Sequence, residues 1–212
     1  MKNGYFVTGT DTGVGKTVVS AILCSGMQAD YWKPVQTGTN ESPDSEFLKD
    51  FSKAIFPEAY KLREPLSPHA AARLENVDIS LEKIVAACPS TTGSLIVEGA
   101  GGVLVPLNEH HLMIDLIQKI ELPAIVVSRS TLGTINHTLL TLEALRNRQI
   151  SIAGIVMVGP ANPQNRDALE KYGRAPVVGE VLPTEVFSKF WMQNEFKKFA
   201  LPQILERNLS HA

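Results

Sequence analysis

The sequence predicts an α/β fold, a mostly parallel β-sheet with helices on both faces. Three observations carry this. Apolar strand-like segments alternate with segments of helical periodicity along the 212-residue chain. The strand segments, among them Leu95-Ile96-Val97 and Ala124-Ile125-Val126-Val127, are apolar on both sides, as strands covered from two directions must be. The first strand runs directly into a glycine-containing loop and a helix, and such sheets bind ligands at the carboxyl ends of their strands.

In chain order, Tyr5 to Thr8 reads as the first strand. Lys16 to about Met27 reads as the first helix, with Val18, Val19, Ile22 and Leu23 apolar at helical spacing. A short strand at Tyr31 to Lys33 ends at Pro34, and Val35-Gln36-Thr37-Gly38 reads as a loop. Asn40 to Asp44 is polar and turn-like, Ser45 to Phe51 helical, and Lys53 to Pro65 irregular. Ser67-Pro68 opens a helix to about Leu74, since Ser suits the N-cap and Pro the first helical position. A further helix runs from Ser80 to Cys88 and stops at Pro89. Ser94 to Glu98 is a strand, Met113 to Ile120 a helix, and Pro123 to Ser128 an apolar strand. Then come Gly133 to Arg146 (helix), Ile152 to Val158 (strand), Pro163 to Tyr172 (helix), Pro176 to Val181 (strand) and Thr184 to Phe199 (helix). No repeat, linker or low-complexity segment interrupts the pattern, so residues 1–212 are expected to form one domain.

Composition narrows the function classes. Hydrophobic residues are 44% of the chain, enough for a large core, and 20 Lys+Arg against 22 Asp+Glu leave a net charge of −2. That balance argues against a nucleic-acid surface as the main activity. Cys24 and Cys88 are the two cysteines, too far apart in sequence for a metal motif, and Cys24 falls on the apolar face of the first helix. No secretory signal and no membrane-spanning apolar run is apparent, so a cytoplasmic location is expected.

The chemistry begins at Thr8-Gly9-Thr10-Asp11-Thr12-Gly13-Val14-Gly15-Lys16-Thr17. Backbone N–H groups in such a turn converge on one concavity, and the helix N-terminus adds partial positive charge. Lys16 supplies a full charge for β- and γ-phosphate oxygens, and the Thr17 hydroxyl is placed for a Mg²⁺ ion bridging them. This is a P-loop, with one irregularity: five residues rather than four separate Gly9 from Gly15.

The other strand ends add candidates. Lys33 is a second lysine at a strand end, suited either to a transferring phosphoryl group or to solvent. Thr37-Gly38 offers a hydroxyl and close backbone approach to a small substrate, or an ordinary turn. Glu98 ends an apolar strand, where a carboxylate calls for a cation or for loop amides, and Mg²⁺ is the natural partner. Asp44 is offered as a second metal ligand, with Glu46 and Asp50 close beside it, although its loop position by itself favours a solvated acid. Gly133-Thr134-Ile135-Asn136 opens a helix whose free amides suit a carboxylate, while His137 equally suits packing.

Taken together these pieces resemble the dethiobiotin synthetase family. The carrying residues are Tyr5-Phe6-Val7-Thr8-Gly9-Thr10-Asp11-Thr12 with Val14-Gly15-Lys16-Thr17, and Lys33-Pro34-Val35 with Thr37-Gly38. Glu64-Pro65 with Ser67-Pro68-His69, Val97-Glu98-Gly99-Ala100-Gly101-Gly102, and Leu132-Gly133 with Ile135-Asn136-His137 complete the set. The family's P-loop has the longer spacing seen here. The resemblance implies a P-loop NTPase-like fold and an ATP- and Mg²⁺-dependent ligase of biotin synthesis. Its substrates would be a vicinal diamine, 7,8-diaminopelargonic acid, and CO₂ or bicarbonate, joined through a carbamate and a carbamic–phosphoric anhydride into a ureido ring. Lys33 and Lys16 would be catalytic, and Thr17, Asp44 and Glu98 would ligate Mg²⁺. Nucleotide contacts would come from Gly13, Val14, Gly15, Lys16, Thr17, Val18, Asp44, Glu98, Gly99, Ala100, Gly101, Val158, Gly159, Leu182 and Pro183. Thr37 and Gly133, Thr134, Ile135 and Asn136 would contact substrate, the last four across a homodimer.

Two features depart from the family's pattern. Val158-Gly159 stands where relatives carry a base-reading Asn-Asp, and the run Gly179 to Pro183 is one residue longer than usual. Weak discrimination between nucleotide bases is therefore expected. The main competing reading is a partitioning or cell-division type ATPase switch. Such proteins carry an additional lysine near the start of the loop, where this chain has Asp11, and their membrane-binding tails are amphipathic, whereas Glu206 to Ala212 is polar.

Overall fold

The computed structural model describes residues 3–40 and 43–201. The polar tail from Glu206 to Ala212 lies outside these residues.

Seven strands form one sheet: β1 (Gly4–Gly9), β2 (Asp30–Trp32), β4 (Ile55–Phe56), β6 (Leu95–Gly102), β7 (Ala124–Arg129), β8 (Ile152–Val158) and β9 (Val177–Val181), in spatial order β4-β2-β6-β1-β7-β8-β9. Every pairing in it is parallel. Side chains alternate between two cores, as the period of a strand requires. Tyr5, Val7, Ile96, Ile125, Val127 and Val156 face helices α1 (Lys16–Met27) and α8 (Lys189–Phe196). Phe6, Val97, Ala124, Val126, Ile155 and Met157 face the other way, against α5 (Met113–Ile120) and α6 (Thr134–Asn147). The first strand sits between β6 and β7, so the loop that follows it emerges at the centre of the sheet's carboxyl edge, where the chain's direction of winding reverses.

Helix ends follow their cap chemistry. Asn162 accepts from the Asn165 N–H at 3.0 Å and opens α7 (Pro163–Gly173), with Pro163 in the first turn. Ser80 and Ser188 cap α4 (Leu81–Ala86) and α8 in the same way. Ser67 stands at the N-cap of α3 (Pro68–Leu74) as its sequence position predicts, but its hydroxyl lies 3.1 Å from His69 Nδ1 and caps no amide.

The structure corrects several boundaries. Val35–Gln36 is not a loop but a short strand, β3, pairing with β5 (Tyr60–Lys61) in a separate two-stranded parallel sheet. The segment read as irregular thus supplies two short strands, β4 and β5. Two-residue strands show no periodicity and exist only through distant partners. Likewise β6 continues through the glycines to Gly102, because Gly9 pairs with it. Residues 45–51 divide into α2 (Asp44–Phe47) and a 3₁₀ turn (Leu48–Asp50). The last helix begins at Lys189 rather than Thr184, where Ser188 caps it.

One contact is unusually demanding. A Cβ at Gly26 would lie 2.0 Å from Phe196 Cγ, so α8 docks on α1 only because position 26 has no side chain. Gly26→Val recovers a few tenths of a kcal/mol of helix propensity but overpacks this contact by about 1–3 kcal/mol. It should lower the denaturant midpoint with an unchanged slope, and Gly26→Ala should fall between it and the parent.

Candidate active site

The loop after β1 owes its shape to glycine at specific points. Gly13 and Gly15 have φ of 68° and 98°, a left-handed conformation that other residues adopt only with strain. Gly9 closes β1, and a Cβ there would come within 2.8 Å of Val14 Cγ2, so the loop folds back across it. The extra residue between Gly9 and Gly15 is accommodated because Gly9 belongs to the strand. No acidic side chain occupies the first turn of α1, which leaves that N-terminus open to an anion. Lys16 is buried and donates to the Asp11 carbonyl at 2.9 Å. Burial pushes its ammonium pKa down; Glu98 opposes this and Lys33 adds to it.

A contact not foreseen from sequence braces this loop. Arg129, the last residue of β7, places Nη1 3.0 Å from Asp11 Oδ2 and donates from Nη2 to the Thr12 carbonyl at 2.9 Å. Asp11 also accepts from the Thr12 N–H at 2.7 Å. The Thr12 amide and the Arg129 guanidinium hold the Asp11 carboxyl below the usual carboxylate range. The available sequence signal was a cation at a strand end, the same signal that marked Lys33.

The second lysine is placed by sheet register. Trp32 pairs with Val97, so the next residues, Lys33 and Glu98, fall side by side. Lys33 is 6% and Glu98 1% exposed. Lys33 Nζ lies 3.2 Å from Glu98 Oε1 and bonds Asp44 Oδ2. Thr17 Oγ1 is within reach of both carboxylates, 2.8 Å from Asp44 Oδ1 and 3.0 Å from Glu98 Oε1, with one proton to give. Tyr31, two residues before Lys33 and on the same face, donates its hydroxyl to Glu98 Oε2 at 3.0 Å. Burial and the neighbouring Glu98 hold that phenol well above its usual pKa, so it remains a donor. Burial disfavours the charged form of both Lys33 and Asp44. Even so, Glu98 and Asp44 raise the Lys33 pKa, and Lys33 with the Thr17 hydroxyl lowers that of Asp44.

Of the three acids left open by sequence, Asp44 is the one that reaches this cluster. Glu46 is exposed and paired with Lys49, and Asp50 is exposed. Gln36, unassigned by sequence, makes the difference: its Oε1 accepts from the Asp44 N–H at 3.3 Å and its Nε2 donates to the Thr37 carbonyl at 2.7 Å.

A cavity of about 540 Å³ lies over these groups. Gly13, Gly15, Lys16, Thr17, Val18, Lys33, Thr37, Asp44, Glu98, Ala100 and Gly101 line it, with Gln36 and the strip from Pro65 to Pro68 opposite. Val14 and Gly99 do not line it. Val14 is buried in the core, and a Cβ on Gly99 would meet Phe6 Cε1 at 3.0 Å. Val158, Gly159, Leu182 and Pro183 lie at the ends of β8 and β9, on the other flank of the loop. There Val158 packs on Gly15, and Leu182 is exposed. Gly133, Thr134, Ile135 and Asn136 form the N-terminus of α6, outside this cavity. His137 lines a second cavity with Thr10, Asp11 and Thr12. Among the described residues no group of three or more His, Cys, Asp or Glu gathers as a metal site. The Thr17–Asp44–Glu98 set is instead two carboxylates and a hydroxyl, hard oxygens that suit Mg²⁺ when phosphates and water complete its shell.

Sheet order, loop and site define a P-loop NTPase fold. The structure is similar to a cell division ATPase MinD from Pyrococcus furiosus, with a TM-score of 0.63 and 15% identity over 98% of this chain and 99% of that one, a likeness of fold alone. Residues 3–189 match an AAA domain family. The sequence is 54% identical to an ATP-dependent dethiobiotin synthetase of Paramagnetospirillum magneticum over 85% of this chain and 88% of that protein. It is 43% identical to one of Brucella ovis over 94% and 98%. The chain belongs to the ATP-dependent dethiobiotin synthetase family and is a ligase. The partitioning-type switch is not favoured, since its resemblance stops at the fold. No helix among the described residues is long and apolar enough to cross a membrane.

The lowered pKa of Asp44 has a sign that stability measurements can read. Its contribution is present above the ordinary value of 3.8 and is lost as pH falls through the lower folded value. Asp44→Asn, which leaves Lys33 with one carboxylate, should cost about 1–3 kcal/mol at pH 7. In urea titrations the gap between variant and parent should close as the pH drops below 3.8.

Proposed function

We propose that this chain closes the ureido ring of dethiobiotin, using ATP, Mg²⁺, CO₂ and the diamine 7,8-diaminopelargonic acid. The observation that carries the reading is that two buried lysines, Lys16 and Lys33, line one cavity with Thr17, Asp44 and Glu98. Two anions, a carbamate and a γ-phosphate, must meet there, and dense fixed positive charge is what such a meeting requires.

One amine adds to CO₂ and loses a proton, giving a carbamate. A carbamate oxygen attacks the γ-phosphorus, the bond to the β–γ bridging oxygen breaks, and ADP leaves. The second amine then attacks the carbamoyl carbon of the mixed anhydride. Phosphate leaves with the C–O electron pair, a proton is lost, and the ring is closed. Lys16 and the amides around Gly13 and Gly15 hold the β- and γ-phosphates. Lys33 meets the charge gathering on the transferred phosphoryl group and orients the carbamate, with Thr37 contacting the diamine from the cavity wall. Mg²⁺ held by Thr17, Asp44 and Glu98 would spread the phosphate charge.

The α6 N-terminus, Gly133 to Asn136, would hold the substrate carboxylate of a second copy in a homodimer. Support comes from its position outside its own chain's cavity and from exposed leucines around it: Leu132 just before it, Leu140 on α6, and Leu104, which lines a second cavity with His137 and Leu140. At the far end of the nucleotide, Val158 has no polar side-chain atom for a base.

The test is an assay with diamine, bicarbonate, Mg²⁺ and ATP that follows the cyclised product. Lys33→Ala should lower turnover per folded molecule by about 10²–10³-fold; near-normal turnover would remove Lys33 from the chemistry. ATP, GTP and CTP compared at matched subsaturating levels should differ by less than a hundredfold, about 2.7 kcal/mol. A larger preference for ATP would show that the base is read by groups other than Val158.

A further inference from the structure

The lysine read as catalytic and the oxygens read as metal ligands occupy the same space. Lys33 Nζ bonds Asp44 Oδ2 and lies 3.2 Å from Glu98 Oε1. Glu98 Oε1 is also the oxygen that Thr17 approaches at 3.0 Å, while Asp44 Oδ1 is the one it approaches at 2.8 Å. The remaining Glu98 oxygen, Oε2, is taken by Tyr31. A divalent cation held beside Thr17 by Asp44 Oδ1 and Glu98 Oε1 therefore takes one oxygen, Glu98 Oε1, that Lys33 now holds, and sits against the ammonium on Asp44 Oδ2. An ammonium at hydrogen-bond distance and a dication at about 2.0–2.1 Å on the same carboxylates repel each other, so each weakens the other's hold.

We infer that Lys33 is the resident counter-cation of the Asp44–Glu98 pair, and that a divalent cation enters by displacing it into the cavity. This rests on the reading of Asp44 and Glu98 as metal ligands given above. Burial makes a counter-cation necessary, since Glu98 is 1% exposed and a lone buried carboxylate is costly. Lys16 does not fill the role, because its ammonium is turned to the Asp11 carbonyl. The displaced ammonium has somewhere to go, because Lys33 lines the same cavity as Thr37 and Gly38. Its backbone is anchored by the Trp32–Val97 pairing and by Pro34, so the exchange is a side-chain movement. The consequence is an order of events: the lysine reaches substrate only once the metal has taken over the carboxylates, which guards against phosphoryl chemistry on a metal-free nucleotide.

The probe is Mn²⁺ alone with nucleotide-free protein, followed by the electron paramagnetic resonance of free Mn²⁺. Lys33→Met should bind Mn²⁺ at least tenfold more tightly than the parent chain, although the same change removes the catalytic ammonium. Lys33→Arg, which keeps a cation on the carboxylates, should show no such gain. Equal, weaker or absent Mn²⁺ binding by folded Lys33→Met overturns the inference. Should that variant not fold, the exchange is read on the parent chain by acetic anhydride labelling and peptide mass spectrometry. Labelling of Lys33 should rise severalfold as Mn²⁺ is raised to saturation, and Asp44→Asn should abolish the rise; constant labelling overturns the inference. Neither measurement involves the diamine or ATP, so failure to form the cyclised product would count against the proposed reaction and leave this result standing.

Discussion

Glu98 sits midway along the central strand β6, with β2 on one side and β1 on the other, and is almost wholly out of contact with solvent. An ionised carboxylate in that position is tolerable only if cations and donors surround it. Three residues meet this need from two elements: Tyr31 within β2, Lys33 directly after it, and Thr17 in the first turn of α1. Their arrangement follows from one parallel pairing. With Tyr31 opposite Ile96 and Trp32 opposite Val97, every second side chain of both strands faces α1. Tyr31, Lys33, Ile96 and Glu98 therefore share a face, and a one-residue slip would turn the charged pair to opposite sides of the sheet.

The phosphate loop is subordinate to the same edge. Its backbone is held from beneath by Gly9, where the absence of a Cβ admits Val14, and from the side by Val158 against Gly15. From the β7 side Arg129 grips Asp11 and Thr12, which are themselves exposed. An exposed ion pair adds little stability, but two bonds from one planar guanidinium limit how the loop can turn. The Asp11 carbonyl that receives Lys16 belongs to this braced segment. The two lysines thus answer to different supports: Lys16 to the loop, Lys33 to the sheet.

Much of this was legible beforehand. Long strands and helices have a period, and the first helix, Met113–Ile120 and Ile152–Val158 appear where the pattern puts them. Lys16, Thr17 and Lys33 were legible because each stands at a strand end or in the first turn of a helix, in a sheet type that gathers such positions, and Glu98 because an acid closes an apolar run, although its strand continues to Gly102. Other features left no local trace. The β3–β5 pair comprises two residues a side and exists only through a partner some 25 positions away. Asp44 could not be separated from Glu46 and Asp50 by residue type, because the groups that hold it inward, Gln36 on its N–H and Lys33 and Thr17 on its carboxylate, come from other elements. Arg129 is one polar residue after an apolar run until β7 is laid beside β1.

The sequence by itself determined the alternation of elements, the chemistry of the loop and the residue types available to the site, since these depend on neighbours within a turn or a strand. Its motifs sufficed to indicate the family. Tertiary structure alone decided which side chains meet. Lys33 and Glu98 are 65 positions apart and Arg129 and Asp11 118 apart, and only sheet order and register bring them together. The physical reason is that strand pairing spends backbone hydrogen bonds common to every residue, so which strands lie side by side is settled by how the whole sheet buries its two faces.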